Sequence, residues 1–328
     1  MATGIVSIGC ELLDLRAPAV ALFVVDIGGY LVLWVLSGLR FLHFRERFLD
    51  DLTDHQRAPG FLTVVAGTGV LGAQVILIGD QLSIAVALLA LAAILWVLLI
   101  YTIFTALTIK RDKPSLAEGI SGSWLLTVVA TQSIAVLIAL LSPHWGQPLR
   151  RDANFAVLSM WLWGGMLYIW IISLIFYRYI FFRFSAGDLA PPYWINMGAM
   201  AISTLAGSLL ILNAADAPYL LSLLPFVKGF TVFYWATGTW WIPMLLILAL
   251  WRYVYRRFPL RYDPLYWGAV FPLGMYAAST EEMIRAMEFD FLRFLPPVFL
   301  SVALAAWTAA FAGLVLGLLR PQPARASP

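Results

Sequence analysis

The chain has 328 residues, of which 62% are hydrophobic and 12% charged, and its mean hydropathy is +0.87. Soluble domains are about 45–50% apolar and about 25% charged, so this composition excludes a water-soluble globular protein and indicates an integral membrane protein. The formal net charge of +3 requires no nucleic-acid partner, and the single cysteine, Cys10, excludes a disulfide within the chain.

Ten apolar segments follow one another along the chain. A membrane-spanning helix needs about 20 apolar residues, and the predicted spans are 1–13, 17–40, 59–79, 82–108, 120–141, 154–182, 191–213, 221–255, 265–286 and 294–319. Short polar connections join them, so we predict one transmembrane domain, 1–320, and a short disordered cytoplasmic tail, 321–328. The first span would cover only about 20 Å of a core of about 30 Å. We therefore expect the first helix to lack its start, as a misplaced start codon would produce.

The basic residues divide unequally between the two sides of this predicted membrane domain. Fifteen lie in the loops after the second, fourth, sixth and eighth spans or in the tail, and six lie on the other side. Lysine and arginine concentrate in cytoplasmic loops. The sequence therefore predicts a multi-pass protein of the plasma membrane with both termini in the cytoplasm.

Residue types alternate between odd and even spans. Odd spans are rich in small and hydroxyl residues, as in 65–72, whereas even spans carry most of the aromatic residues, as in 161–177. Short motifs in the odd spans recur about 64 to 68 residues apart, which indicates a helical hairpin repeated five times. Small residues let helices approach closely or line a lumen. The pattern predicts an all-α fold with an inner ring of odd helices around a pore and an outer ring of even helices. An ordinary bundle with small residues at its packing seams is the alternative.

If the odd helices form a pore, some of their small residues line it. The predicted pore-lining residues are Thr3, Gly4, Gly67, Thr68, Thr131 and Gly198. Signals for an enzyme are weak, because His43, His55 and His144 lie in or near loops and far apart in sequence. The glycine pattern at 67–72 matches a dinucleotide fingerprint, but it lies inside a membrane span and not between a strand and a helix. We predict no metal and no cofactor.

Ionisable residues inside membrane spans are costly and often functional. Asp26 lies within the second span, where it is either a proton-coupling carboxylate or a hydrogen-bonded structural acid. Glu281 and Arg285 have the i,i+4 spacing of a helical ion pair at the end of the ninth span. Arg285 either belongs to a solvated pair there or draws anions into an outer vestibule.

The ninth span has an aromatic residue well inside an otherwise small-residue helix. Phe271 is followed by Pro272, which lacks a backbone N–H and clashes with the carbonyl of Gly268 four residues earlier, so the helix is expected to kink between Gly268 and Gly274. A kink opens space that a phenyl ring can fill, and hydrophobic constrictions can close pores by excluding water. Ordinary packing of Phe271 is the alternative interpretation.

Three segments resemble the tellurite-resistance/C4-dicarboxylate transporter family, which includes the plant slow-type anion channels. They are Met1-Ala-Thr-Gly-Ile, Pro191-Pro-Tyr-Trp-Ile-Asn-Met-Gly-Ala and Phe271-Pro-Leu-Gly-Met. The resemblance covers essentially the whole chain and implies five inner helices around a pore, a homotrimer and anionic substrates. It also implies that Phe271 is the phenylalanine that blocks the pore.

The chain departs from the family at Glu281 and Glu282, which are acidic where an anion path favours neutral or basic groups. Three functions remain open: an anion channel or uniporter for a C4-dicarboxylate, tellurite or an inorganic anion, a proton-coupled carboxylate carrier, and a membrane-embedded enzyme or structural subunit. The sequence favours the first, because no convergent catalytic groups are visible.

Overall fold

The computed structural model describes residues 1–319, and that part of the chain is built from α-helices joined by short turns. The twelve helices are α1 (Ala2–Leu12), α2 (Arg16–His43), α3 (Arg45–Leu52), α4 (Thr63–Leu77), α5 (Leu82–Ile109), α6 (Leu116–Gly119), α7 (Leu126–Leu141), α8 (Leu149–Phe181), α9 (Ile195–Leu212), α10 (Pro218–Leu250), α11 (Trp267–Met287) and α12 (Leu295–Leu319). The tail predicted at 321–328 lies outside the described residues. The prediction of an all-α membrane protein is confirmed.

Ten of these helices correspond to the predicted spans, and the short helices α3 and α6 lie in the connections. Eight helices among residues 1–319 are long and apolar enough to cross a membrane, and α1 and α11 are not among them. Helix α1 has only 11 residues. Helix α11 has 21 residues but carries two glutamates and an arginine near its end. Because 14 of the 21 residues of α11 are buried by protein, this helix does not need a fully apolar surface.

The odd spans form a closed ring. Helix α1 packs against α4 and α11, α7 packs against α4 and α9, and α9 packs against α11. Each outer helix lies along the inner helix that precedes it, in the pairs α1–α2, α4–α5, α7–α8, α9–α10 and α11–α12. In the long inner helices α4, α7 and α9, 67% to 94% of the most apolar stretch is buried, whereas the range for the outer helices is 11% to 44%. The predicted inner and outer rings are therefore both present.

Aromatic side chains of the outer ring tie it to the inner ring by hydrogen bonds. Each outer helix reaches the inner helix that follows it around the ring. The five bonds are Tyr30 to Thr68 (2.8 Å), Trp96 to Thr131 (2.9 Å), Trp161 to the carbonyl of Ser203 (2.9 Å), Trp235 to Thr280 (3.1 Å) and Trp307 to Thr3 (3.0 Å). Buried indole and phenol groups need such partners. The aromatic residues of the even spans therefore serve packing between the rings as well as contact with lipid.

Glycines allow the inner helices to approach one another closely. A methyl group placed on Gly69 of α4 would lie 2.9 Å from the Cβ of Ser133 on α7. A methyl group on Gly198 of α9 would lie 2.8 Å from the ring of Pro272 on α11. These contacts are shorter than normal van der Waals separations, so the glycines are needed at the seams of the ring. The small residues of the odd spans thus mark helix seams within the ring that the pattern predicted.

Candidate functional site

The axis of the inner ring contains a small apolar cavity. Its volume is about 10 Å³, close to the smallest space that holds one water molecule. All five inner helices contribute to its wall, which consists of Ile5, Ile8, Gly69, Val70, Ala73, Ser133, Val136, Ile202, Leu205 and Met275. The hydroxyl of Ser133 donates to the carbonyl of Ala130 (2.8 Å) and is therefore already satisfied. The ring axis is closed at this level by aliphatic side chains. We refer to this space as the axial cavity.

Phe271 lies one helical turn from the axial cavity on helix α11. It precedes the cavity-lining Met275 by four residues, and residues four apart lie on the same face of a helix. Its side chain is fully buried, with 0% exposure. The spacing therefore places the ring of Phe271 on the axial face, toward the N-terminal end of α11.

Residues one turn before the cavity wall on the other inner helices carry no aromatic ring. Counting back four residues from the lining residues gives Met1, Gly4, Val65, Ala66, Gly69, Val129, Gln132, Gly198 and Ala201. The contact of Gly198 with Pro272 fixes the level of α9 relative to α11. Phe271 is therefore the one aromatic residue at this spacing from the cavity wall on the five inner helices.

The residues predicted to accompany a kink pack against the neighbouring inner helices. Pro272 lies inside α11, which continues without interruption from Trp267 to Met287. A methyl group on Gly268 would lie 3.4 Å from the Cα of Pro192, and one on Gly274 would lie 3.1 Å from Val6. The glycines on either side of Phe271 therefore let α11 approach α1 and the turn that leads into α9.

None of the six residues predicted to line the pore belongs to the wall of the axial cavity, and five of them contact the outer ring or a neighbouring inner helix. The hydroxyls of Thr3, Thr68 and Thr131 bond aromatic groups of the outer ring. Gly198 faces Pro272, and Gly4 faces Asp26, Val70 and Gln74 at the seam of α1, α2 and α4. Hydrogen bonding and close packing account for these orientations. Gly67 differs, because it is buried and a methyl group there would meet nothing within 4 Å.

Asp26 lies outside the axial cavity, in a buried polar cluster. Its Oδ1 atom is 3.5 Å from the amino group of Met1. A methyl group on Gly4 would lie 2.7 Å from Oδ2 of Asp26 and 2.8 Å from Oε1 of Gln74, so both oxygens lie close to Gly4. Within residues 1–319 the amide of Gln74 is fully buried and has no hydrogen-bond partner. Gln74 is not among the residues predicted from the sequence, although a glutamine inside an apolar span is itself a signal of a buried polar site.

Arg285 is paired with a different glutamate from the one predicted. Its Nη1 atom is 2.6 Å from Oε1 of Glu282, three residues earlier, and the structure shows no such bond to Glu281. Both i,i+3 and i,i+4 partners lie on the same side of a helix, and here the buried carboxylate takes the arginine. Glu282 is seven residues beyond Met275, so it lies on the axial face near the C-terminal end of α11. Arg285 therefore neutralises an acid there and is not a free basic group.

Comparisons with known proteins agree with this architecture. The family model SLAC1, voltage-dependent anion channel, matches residues 1–315. An uncharacterized membrane protein of Mycobacterium tuberculosis is 38% identical over 149 residues, which are 45% of this chain and 75% of that protein. Two uncharacterized transporters of Methanocaldococcus jannaschii are each 26% identical, over 90% and 81% of this chain and 84% and 75% of their own lengths. The family resemblance is confirmed: this multi-pass membrane protein belongs to the SLAC1 family of voltage-dependent anion channels.

Proposed function

We propose that the chain passes small anions along the axis of the inner ring and that Phe271 closes this path. The observation that carries the proposal is the axial cavity, which all five inner helices line and beside which a single phenylalanine is fully buried. The names of the family and of the archaeal relatives support anion transport in general. The apolar wall supports closure of the path by exclusion of water, as in hydrophobic gates.

The cavity wall also bears on the choice of anion. Within the described residues no basic side chain lines the axial cavity. Because the cost of taking an ion out of water rises with the square of its charge, an apolar wall penalises dianions far more than monovalent anions. We infer that the permeant form is a small monovalent anion, such as an inorganic anion or a singly protonated acid. Transport of C4-dicarboxylate dianions would require the wall to move apart.

A proton-coupled carrier is the second candidate, and the cluster around Asp26 favours it. Asp26 is an ionisable residue within a membrane span and lies in a buried seam near the unpartnered amide of Gln74, and intramembrane acids often belong to proton pathways. If coupling takes place there, Asp26→Asn abolishes the dependence of uptake on the proton gradient while leaving the folded protein intact. Flux that follows only the anion gradient, in both wild type and Asp26→Asn, contradicts the carrier.

Replacing Phe271 by alanine tests the gate. If the ring closes the axis, Phe271→Ala lowers the dewetting barrier, and a reduction of about 1.4 kcal/mol raises the flux about tenfold. Flux into proteoliposomes is measured for chloride, nitrate, sulfite, malate and tellurite. Phe23→Ala is the control, because Phe23 lies on the outer helix α2 and its ring packs near Gly79. That variant should leave the flux unchanged.

Loss of folded protein distinguishes a gate from simple packing. Truncating a buried phenylalanine that only fills space typically costs about 3–5 kcal/mol of stability, with no gain in flux. The yield and unfolding temperature of Phe271→Ala are therefore measured beside its flux. Unchanged flux from well-folded Phe271→Ala protein contradicts the proposed gate.

Orientation and assembly form part of the same proposal. The 15-to-6 division of basic residues supports a plasma-membrane protein with both termini in the cytoplasm. Cysteines introduced at Arg111 and Arg257 should then react with a membrane-impermeant reagent only after the cells are opened; Cys10 is buried. Labelling of both in intact cells contradicts this topology. Assembly as a homotrimer is inferred from the family resemblance.

A further inference from the structure

Arg252 is a buried cation with no counterion among residues 1–319. Its side chain is 6% exposed, and its Nε and Nη1 atoms are buried without hydrogen-bond partners. No ion pair joins it to any carboxylate in that part of the chain. A buried charge without a partner costs several kcal/mol, so a group that supplies the missing acceptor is expected.

The aromatic surroundings of Arg252 leave its hydrogen-bond donors available. The guanidinium lies over the ring of Phe258, 4.1 Å from the ring centre, and near Tyr253, at 5.2 Å. Stacking covers the flat face of a guanidinium, whereas its N–H groups point outward in the plane. These in-plane donors match the oxygens of a phosphate or carboxylate group.

The backbone around Arg252 is irregular and carries further positive charge. Residues Trp251–Tyr255 form one π-helical turn at the end of α10, and such turns often occur at functional sites. Arg256, Arg257 and Arg261 follow in the next connection, and Asp263 is the one acid among residues 252–263. The Asp263 side chain accepts from the backbone N–H of Leu265 (2.8 Å). The local field therefore favours an anion.

A second buried arginine at the end of another outer helix shows what a structural arginine looks like in this protein. Arg178 of α8 donates to the carbonyl of Ile120 (3.1 Å) and to Tyr193, and it pairs with Asp188 at 3.4 Å. Arg178 also lies over an aromatic ring, that of Phe184. The two sites share burial and stacking, and they differ in that, within residues 1–319, only Arg178 has oxygen partners.

We propose that Arg252 binds an oxyanion group, phosphate or carboxylate in chemistry, stacked beside Phe258 at the end of α10. The hydroxyl of Tyr253 is 2.9 Å from that of Tyr266, which immediately precedes α11, so the site is linked to the start of the helix that carries Phe271. The oxyanion comes either from the headgroup of an anionic lipid or from a free anion in solution. The site is one of binding, and its existence does not depend on the gate.

Thermal unfolding of the purified full-length protein in a neutral detergent tests the site. In one experiment inorganic phosphate is titrated at constant ionic strength. In the other, short-chain phosphatidylglycerol is titrated, with short-chain phosphatidylcholine as the neutral control. Binding to the folded state should raise the unfolding temperature by roughly 2–4 °C at about ten times Kd, and the shift should then grow with the logarithm of the ligand concentration. A response to inorganic phosphate identifies a free anion as the occupant, and a response to phosphatidylglycerol alone identifies a lipid headgroup.

Three variants assign the response to Arg252. Arg252→Gln should abolish the shift, and Arg252→Lys, which keeps the charge but loses the planar fork, should weaken it. Arg47→Gln removes the same charge from an exposed residue of α3, outside this site, and should keep the shift. No concentration-dependent shift in the wild type with either ligand overturns the proposal, as does equal loss in Arg252→Gln and Arg47→Gln. If Arg252→Gln does not fold, the wild type, Arg252→Lys and Arg47→Gln still decide between these outcomes.

Discussion

The inner and outer rings of this protein are held together in different ways. In the inner helix α9, 17 of 18 residues are buried, whereas in the outer helix α2 only 3 of 28 are buried. Inner helices meet through glycines that bring one backbone against the next, and outer helices reach inward with single tyrosine or tryptophan side chains. The inner ring should therefore be sensitive to added volume, and the outer ring to the loss of specific aromatic hydrogen bonds.

The largest loss of stability is expected from adding one methyl group where two segments of the inner ring touch. A methyl group on Gly122, in the turn that leads into α7, would lie 2.5 Å from the carbonyl oxygen of Pro192 and 2.7 Å from the Cα of Tyr193. These are backbone atoms and cannot rotate away. Gly122→Ala should destabilise the protein by about 3 kcal/mol, the upper part of the usual cost of overpacking. The unfolding temperature in detergent measures the change.

The outer ring supplies the matched control for this substitution. Gly38 lies on α2, and a methyl group there would meet nothing within 4 Å. Because alanine favours the helix by up to about 1 kcal/mol over glycine, Gly38→Ala should leave stability unchanged or raise it slightly. Equal unfolding temperatures for Gly122→Ala and Gly38→Ala would show that the two rings do not differ in this way.

A smaller effect is expected from removing one hydrogen bond between the rings. Trp161 of α8 is fully buried and donates to the carbonyl of Ser203 on α9 (2.9 Å). Trp161→Phe removes this bond and part of the ring, and the lost hydrogen bond alone should cost about 1 kcal/mol. Trp170→Phe on the same helix is the control, because Trp170 is 61% exposed. Its unfolding temperature should stay near that of the wild type, and a larger loss there than in Trp161→Phe would contradict the assignment.

The sequence was sufficient to predict the rings but not the direction of individual side chains. The contrast between small and aromatic residues is a property of whole helices, so it can be recognised from the sequence alone. An inner helix is apolar on all sides, however, and its periodicity cannot distinguish the face toward the axis from a seam. For that reason the sequence predicts Thr68 and Thr131 as pore-lining residues but does not show that their hydroxyls bond Tyr30 and Trp96 of the outer ring.

The partners of the charged side chains could not be predicted from the sequence either. The spacing allowed Arg285 to meet either glutamate, and burial of Glu282 decided between them. The sequence predicts Arg252 and Arg178 alike as ordinary cytoplasmic-loop arginines, because it does not show which arginine has a carboxylate close enough to pair with it. Phe271 could be singled out because it is an aromatic residue in a small-residue helix, which is a contrast that the sequence itself contains.

The smallest predicted effect concerns the connection between the two rings. In α3, which joins outer helix α2 to inner helix α4, Asp51 accepts from Arg57 (2.5 Å) and from Arg40. The hydrogen bond from Arg57, followed by that from Arg40, holds the pKa of Asp51 below its usual value. A lowered pKa in the folded state stabilises the fold above the unfolded value of about 3.9, and this contribution disappears as the pH falls through the folded value.

Asp51→Asn should therefore lower the unfolding temperature by a small and constant amount between pH 7 and pH 5. Both of these pH values are about one unit or more above the unfolded pKa of Asp51. The amount is small because both arginines are largely exposed to water, where ion pairs are weak. Below about pH 4 the difference between variant and wild type should shrink, because protonation of Asp51 first favours the unfolded chain and, below the folded pKa, removes the charge from the folded protein as well. Asp50→Asn, at an exposed neighbour, should show no such trend. A difference for Asp51→Asn that persists undiminished at about pH 3 would mean that the carboxylate stabilises the connection by its shape and hydrogen bonds and not by its charge.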